Sequence, residues 1–198
     1  MTSPDSATPT RRELLKQQRR GQLLAAGARL IAERGYLGMR LDDLGAAVGI
    51  SGPAVYRHFS NKEALLVELL VGISRRLLEG GTAVAADTTP DQALAALVDF
   101  HLDFALGEPE LIRIQDRDLD NVPVPARREI RRTQRRYLEI WVRILCELLP
   151  GLDEDSARVR AHAIFGLLNS TPHSAGPARG RTRSVLRSMA LAALTHPV

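Results

Sequence analysis

The residues best suited to chemistry lie between Leu41 and Lys62, in the stretch LDDLGAAVGISGPAVYRHFSNK. Ser51 and Tyr56 offer hydroxyls, Arg57 a guanidinium, His58 an imidazole and Lys62 an ammonium. Such groups hydrogen-bond to phosphate oxygens and base edges. Between them, Gly52, Pro53 and Ala54 are small enough to let a helix start come close to a groove. Lys62 falls at the beginning of the next helical pattern, where its charge and the free amides of a helix N-terminus suit one phosphate. The chemistry expected here is recognition of a polyanion.

Presenting these groups on one helix requires a second helix at a fixed angle behind it. Gly45 supplies the small residue where two helices cross, and Gly49 supplies a residue that tolerates positive φ in the turn. Leu44, Val48, Ile50 and Val55 then point inward, which is the pattern of a helix-turn-helix. Upstream, Thr10 and Glu13 have capping-box spacing, and Leu23, Leu24, Ala28, Leu30 and Ile31 form a helical stripe that Gly35 ends. Ser60 and Glu63 repeat the capping-box spacing and open a long helix to about Gly80, with residues 80–89 as a loop. Thr89-Pro90-Asp91-Gln92 starts a helix to Gly107, and a shorter one covers about 108–117. After a break at Asn121–Pro125, helices are expected over 125–149, from the Asp153 cap to about Asn169, and over about 181–195, with 170–180 as a Pro/Gly loop. No strand alternation and no repeat is present. The expected fold is all-α, about nine helices. The expected divisions are an N-terminal arm at 1–10, a helix-turn-helix domain at 11–61, and a helical ligand-binding and dimerisation domain at 62–198.

Charge follows the same division. Residues 1–62 hold ten Lys/Arg against five Asp/Glu, whereas residues 63–198 hold seventeen against eighteen. A basic module on a near-neutral body suggests a polyanion-binding head with a second task behind it. The single cysteine, Cys146, rules out a disulfide framework and a multi-cysteine metal site. No metal-ligand spacing, Gly-rich phosphate loop or nucleophile elbow is present, so no enzyme, cofactor or metal is expected. No apolar run approaches the roughly 18 residues of a membrane span, and MTSPDSATPT lacks the apolar centre of a signal peptide. A cytoplasmic protein with no membrane partner is the expectation.

The segment GYLGMRLDDLGAAVGISGPAVYRHFSNKEALL resembles the N-terminal domain of the TetR family of bacterial transcriptional repressors, over roughly residues 16–70. The resemblance implies that Tyr56, His58 and Lys62 contact phosphates and that the exposed face of the third helix, with Gly52, Ala54 and Arg57, meets the major groove. Two departures stand out. Many members have Thr near the start of the second helix as a phosphate contact, where this chain has Met39-Arg40, so Arg40 would replace that contact by charge. Many have Lys-Gly at the start of the third helix, where Gly52-Pro53 stand here, which shifts discrimination toward Arg57 and shape readout. The rest of the length fits that family's effector and dimerisation domain.

A two-fold dimer doubles the readout of one recognition helix and demands a near-palindromic site. Leu186, Met189, Ala190, Ala193 and Leu194 recur at helical spacing, and the preceding helix offers Ala157, Ala161, Ile164, Leu167 and Leu168. Two such helices from each subunit would make a four-helix interface, the alternative being that the stripes bury within one subunit. Helices between about 90 and 170 would surround a pocket with His101, Phe104, Trp141, Phe165, Asn169 and His173 as candidate lining, or these are core residues. The run Arg127–Arg136 places arginines at i, i+4 and i+8, either as a solvated face or as a holder of an anionic group such as the phosphates of a coenzyme A thioester, with Arg113 and Arg117 joining.

The function expected is a ligand-responsive repressor that binds double-stranded operator DNA as a homodimer. A small hydrophobic or amphipathic effector would favour a dimer whose recognition helices no longer match successive grooves. The alternatives are a ligand-independent regulator or activator of the same fold, and a helical protein-interaction module with a vestigial head.

Overall fold

A computed structural model describes residues 10–174 and 179–196. Residues 1–9, which include nearly all of the expected N-terminal arm, lie outside the described residues, as does part of the expected 170–180 loop. The described chain is all-α, running through α1 (Arg11–Gly38), α2 (Leu41–Val48), α3 (Gly52–Tyr56), α4 (Lys62–Val84) and α5 (Pro90–Gly107). It continues through α6 (Pro109–Asp118), α7 (Val124–Leu148), α8 (Glu154–Leu168), α9 (Thr171–Ser174) and α10 (Arg179–Thr195), with a 3-10 turn at Leu119–Asn121. These include the nine expected helices. The short α9 falls in the expected Pro/Gly loop.

Helix ends follow local chemistry. Thr10 caps α1 in the expected reciprocal box with Glu13, and Gly35 breaks the helical path with φ of 77°. The second box is shifted: Asn61, not Ser60, caps α4, its side chain accepting from Ala64 N at 2.8 Å. Asn is among the strongest caps, and one residue of shift takes Glu63 out of reciprocal register. The expected loop after Gly80 is helical to Val84, because Gly80 and Gly81 lie against the rings of Phe100 and Tyr137. Packing there outweighs the low helix propensity of a glycine pair.

Two apolar clusters form the core. One joins α1, α2 and α3 through Leu23, Ile31, Leu44, Val55 and Phe59 to Leu65, Leu66 and Leu70 of α4. It also takes in Leu111 and Ile114 of α6 and Ile130 of α7, so the head is seated on the body. The second lies within the body, around Leu97, Leu102, Trp141, Leu145, Ile164 and Leu168, and reaches Leu186, Ala190 and Leu194 of α10. None of the described helices is long and apolar enough to cross a membrane.

The expected subunit interface is corrected here. Ala161, Ile164, Leu168, Leu186 and Ala190 are buried inside this chain, in the seam where α8 and α10 meet the rest of the body. A side chain already sealed in its own core has no surface left for a partner. Met189, at 50% exposure, and Ala193 remain outside. They belong to a second stripe, Val185, Met189, Ala192 and Ala193 on α10, which faces solvent, as do Val159, Ala163 and Gly166 on α8.

Candidate nucleic-acid interface and effector cavity

The head is a helix-turn-helix. Gly49 takes the left-handed conformation at φ 69° and ψ 37°, which turns the chain from α2 into α3. At Gly45 a Cβ would lie 2.7 Å from the backbone oxygen of Ile50, so only glycine allows α2 and the turn to touch. Leu44 and Val55 are fully buried beneath that crossing, with Val48 and Ile50 partly buried.

Above it, α3 shows its polar side to solvent. Ser51 occupies the cap position, but its hydroxyl makes no capping bond and is left available to an external acceptor or donor. Ser51, Pro53, Arg57 and Tyr56 are exposed, the last at 51%, with Gly52 and Ala54 half-buried beside them. Arg40 is exposed at the start of α2, its backbone N–H donating to Asp43 at 3.1 Å. His58 is half-buried, and its Nδ1 is buried without a partner. Burial, then the neighbouring charges of Arg20, Lys16, Arg57 and Arg19, lower its pKa, so its imidazole is neutral in basic surroundings.

Two basic groups near this face hold the head together instead of standing free. Arg20 donates to the His58 carbonyl at 2.7 Å, pairs with Glu68 and lies 4.6 Å above the Phe59 ring, bolting α1 to the end of α3 and to α4. Lys62 donates to the carbonyls of Tyr36 at 3.2 Å and Leu37 at 3.3 Å and lies 4.7 Å above the Tyr36 ring. That leaves one of its three donors for a phosphate.

The body encloses a cavity of about 550 Å³ between α4, α5, α6, α7 and α8. This is the size range of small-molecule sites. Leu77, Phe104, Ile112, Leu138 and Phe165 give it apolar walls. His101 and Asn169 form a polar spot among them: His101 Nε2 is 3.0 Å from Asn169 Oδ1, and its Nδ1 is 3.2 Å from the Tyr137 hydroxyl. The His101 ring stacks on Phe165 at 5.0 Å and meets Phe104 edge-on at 5.7 Å. Burial pulls the His101 pKa down to about 4, so the ring is neutral near pH 7. Burial likewise raises the Tyr137 phenol far above its usual range.

Charge gathers elsewhere on the cavity wall. Arg158 is spent on Glu139, in a two-bond pair at 3.2 Å each, and on Asp155 at 3.1 Å. Arg131 and Arg135, one turn apart on α7, also line the cavity and make no hydrogen bond or ion pair among the described residues. Gln134 between them donates to Gln115 of α6 at 2.8 Å. Asp116 and the Arg158-paired Glu139 are the acids of this wall, and the Asp116 pKa is raised by burial against the opposing effect of His173.

Of the expected lining residues, His101, Phe104, Phe165 and Asn169 do face the cavity, and four do not. Trp141 is fully buried behind the wall, edge-on to Phe165 and Tyr137, and its Nε1 makes no hydrogen bond of regular geometry. Arg113 is exposed and donates to the Pro172 carbonyl at 2.8 Å. His173 is exposed on α9. Arg117 turns to the head: it donates to the Ile31 and Ala32 carbonyls near the end of α1 and pairs with buried Asp118 at 2.9 Å. Asp118 in turn accepts from Tyr36 N at 3.4 Å. The α6 helix therefore lines the cavity with Ile112, Gln115 and Asp116 and grips the head with the next two residues, Arg117 and Asp118. Gln115, Asp116, Gln134 and Tyr137 were not picked out from sequence. Only the four-residue step from Tyr137 to Trp141, which places both on one helix face, was a usable signal.

Comparison with known proteins agrees with both halves. Residues 23–69 match the family model for bacterial regulatory proteins of the tetR family, and residues 87–173 match that for a tetracyclin repressor-like C-terminal domain. The chain is 30% identical over 174 residues to the HTH-type transcriptional regulator CymR of Pseudomonas putida, covering 82% of this chain and 80% of that one. It is 35% identical over 92 residues to the HTH-type transcriptional activator FasR of Mycolicibacterium smegmatis, a match that spans 46% of this chain and 42% of FasR. Among solved structures, the fold is similar to AibR in complex with isovaleryl coenzyme A and operator DNA, at a TM-score of 0.71 and 19% identity over 86% of this chain and 97% of that one. It is also similar to FadR from Bacillus subtilis in complex with stearoyl-CoA, at a TM-score of 0.67 and 22% identity over 90% and 98%. With a helix-turn-helix head and a helical body that both match, the chain belongs to the TetR family of bacterial DNA-binding transcriptional regulators.

Proposed function

We propose that the protein is a repressor that binds a near-palindromic operator as a homodimer and is released by an amphipathic, anionic effector of the acyl coenzyme A class. The observation that carries the effector class is the pair Arg131 and Arg135, two cations without partners among the described residues, in a cavity that also has an apolar wall of Leu77, Phe104, Ile112, Leu138 and Phe165. Guanidinium groups one helical turn apart suit the oxygens of a phosphate, and the aromatic and aliphatic wall suits an acyl chain. That similarly folded regulators were solved with isovaleryl coenzyme A and stearoyl-CoA supports the same class. On the DNA side, Ser51, Gly52, Pro53, Ala54 and Arg57 would face the groove, with Arg40, Tyr56, His58 and the remaining donor of Lys62 on phosphates.

The exposed stripes Val159–Ala163–Gly166 and Val185–Met189–Ala192 are the surface best suited to a second copy. Small residues let helices approach closely, and an apolar patch of this kind marks an interaction surface. For control, α6 is the natural transmitter: an effector that displaces Ile112, Gln115 or Asp116 moves the helix whose Arg117 and Asp118 hold the end of α1. The effector must bind the DNA-free arrangement better than the DNA-bound one, since equal affinity shifts nothing.

The test begins with selection of bound sequences from random duplex DNA at near-physiological salt. One enriched near-palindromic site is expected. Adding long- and short-chain acyl coenzyme A to that complex should release the DNA, whereas free coenzyme A should act weakly. Recovery of unspecific DNA alone would remove the repressor reading. An operator complex indifferent to every acyl coenzyme A would leave a ligand-independent regulator.

A further inference from the structure

The polar spot in the cavity wall has a direction. His101 is neutral, so one ring nitrogen donates and the other accepts. Its Nε2 faces the carboxamide oxygen of Asn169 at 3.0 Å, which only accepts, so Nε2 carries the proton. Nδ1 is then the acceptor and takes the Tyr137 O–H at 3.2 Å. The relay runs from Tyr137 to His101 to Asn169.

The relay has one open end. Asn169 stands at the C-terminal end of α8 on the cavity wall, and its carboxamide N–H₂ has no partner among the described residues. With Oδ1 pinned to His101, and His101 clamped between its ring neighbours, the amide group cannot turn without breaking that bond. The result is a fixed donor on the cavity wall, at the end of the helix that carries the apolar Phe165. A donor held in advance by its supporting shell recognises an acceptor at little ordering cost.

We infer that the Asn169 amide, positioned by His101 and Tyr137, is a specificity-determining donor that recognises a carbonyl oxygen on the apolar part of the effector. This inference rests on the acyl coenzyme A reading and adds to it a requirement for the thioester oxygen, beyond the chain and the phosphates. A hydrocarbon of the same shape would enter but would leave the donor unpaired, which weakens its binding.

The test uses the full-length protein and two probes that differ only at that oxygen, decanoyl coenzyme A and its thioether counterpart S-decyl coenzyme A. Affinity is measured by calorimetry. The wild-type protein is expected to bind the thioester roughly tenfold more tightly, the scale of about one hydrogen bond in a site with little water. In Asn169→Asp, which keeps the shape but loses the donor, and in Asn169→Leu, the two probes should bind within about twofold of each other. Equal binding of both probes by wild-type protein would overturn the inference while leaving the effector class intact. Binding of neither probe would remove the effector class, and the inference with it. A preference for the thioester that persists in both Asn169 variants would assign the recognition to another group and also overturn the inference. The wild-type comparison needs no variant to fold.

Discussion

The head and the body hold their functional residues in opposite ways. The candidate DNA-facing groups come from one short stretch, Arg40 to Lys62, and two helices and a turn arrange them. The cavity takes residues from five helices, from Leu77 to Asn169, and its polar spot joins His101 to Tyr137 and Asn169, which are 36 and 68 residues further along the chain. The head thus reads as a motif, and the body reads as a volume. The difference also predicts separability. Changes in the cavity should leave operator affinity intact, and changes in the turn should leave effector affinity intact, with α4 and α6 as cavity-lining helices whose own side chains also bond to α1.

The largest expected effect is on the arginine pair. Arg131→Ala with Arg135→Ala removes two charge-assisted contacts, each worth about 1.5–3 kcal/mol. Effector affinity should fall on the order of a hundredfold or more, with operator affinity in the absence of effector within about twofold. Calorimetry and gel-shift titration on the same preparation read both. A parallel loss of operator affinity would show that the two regions are not separable.

Next comes acid stability of the body. His101 is held at a pKa of about 4 in the fold against an ordinary value of 6.5. The unfolded chain therefore takes up this proton first, and stability falls as pH drops from about 6.5 toward 4, then levels below it. The span corresponds to about 3 kcal/mol. Urea midpoints across this range should fall more in wild-type protein than in His101→Leu, and parallel curves would mean that the buried imidazole is not the group responsible.

A smaller effect is expected at the helix crossing. Gly45→Ala places a methyl against the Ile50 carbonyl and should cost about 1–3 kcal/mol of stability. It should also weaken operator binding more than the thermal shift explains, because the angle of α3 changes. Unaltered operator affinity would contradict the close crossing. The smallest effect is at the surface: Tyr56→Phe removes one exposed hydroxyl and should weaken operator binding by about 1 kcal/mol, with unchanged thermal stability. No change at moderate salt would remove Tyr56 from the phosphate contacts.

These contrasts explain what was legible before the structure. Helix positions rest on caps and punctuation that act within a few residues, so Thr10, Asp153 and the breaks at Pro123 and Pro150 marked boundaries correctly, whereas Gly35 marked a kink inside α1, which runs on to Gly38. The same rules erred where packing overrode them, at Gly80 and Gly81, and where two good caps competed, at Ser60 and Asn61. Aromatic residues proved a mixed guide to the cavity. Phe104 and Phe165 reach it and Trp141 does not, although all three sit on apolar stripes with the same spacing.

The sequence by itself determined the helical class, the helix-turn-helix with its two required glycines, the exposed set around Tyr56 and Arg57, and the family to which they belong. Those features depend on contacts within about twenty residues, where spacing fixes geometry. Only the tertiary structure decided which stripe of α8 and α10 is sealed in the core, because the inner and outer stripes have the same period and similar small or apolar residues. It also decided that Arg117 grips α1 while Arg131 and Arg135 line the cavity unpaired. An arginine's partner is set by whichever carbonyl or carboxylate distant helices bring within its reach, and a one-dimensional pattern carries no record of that convergence.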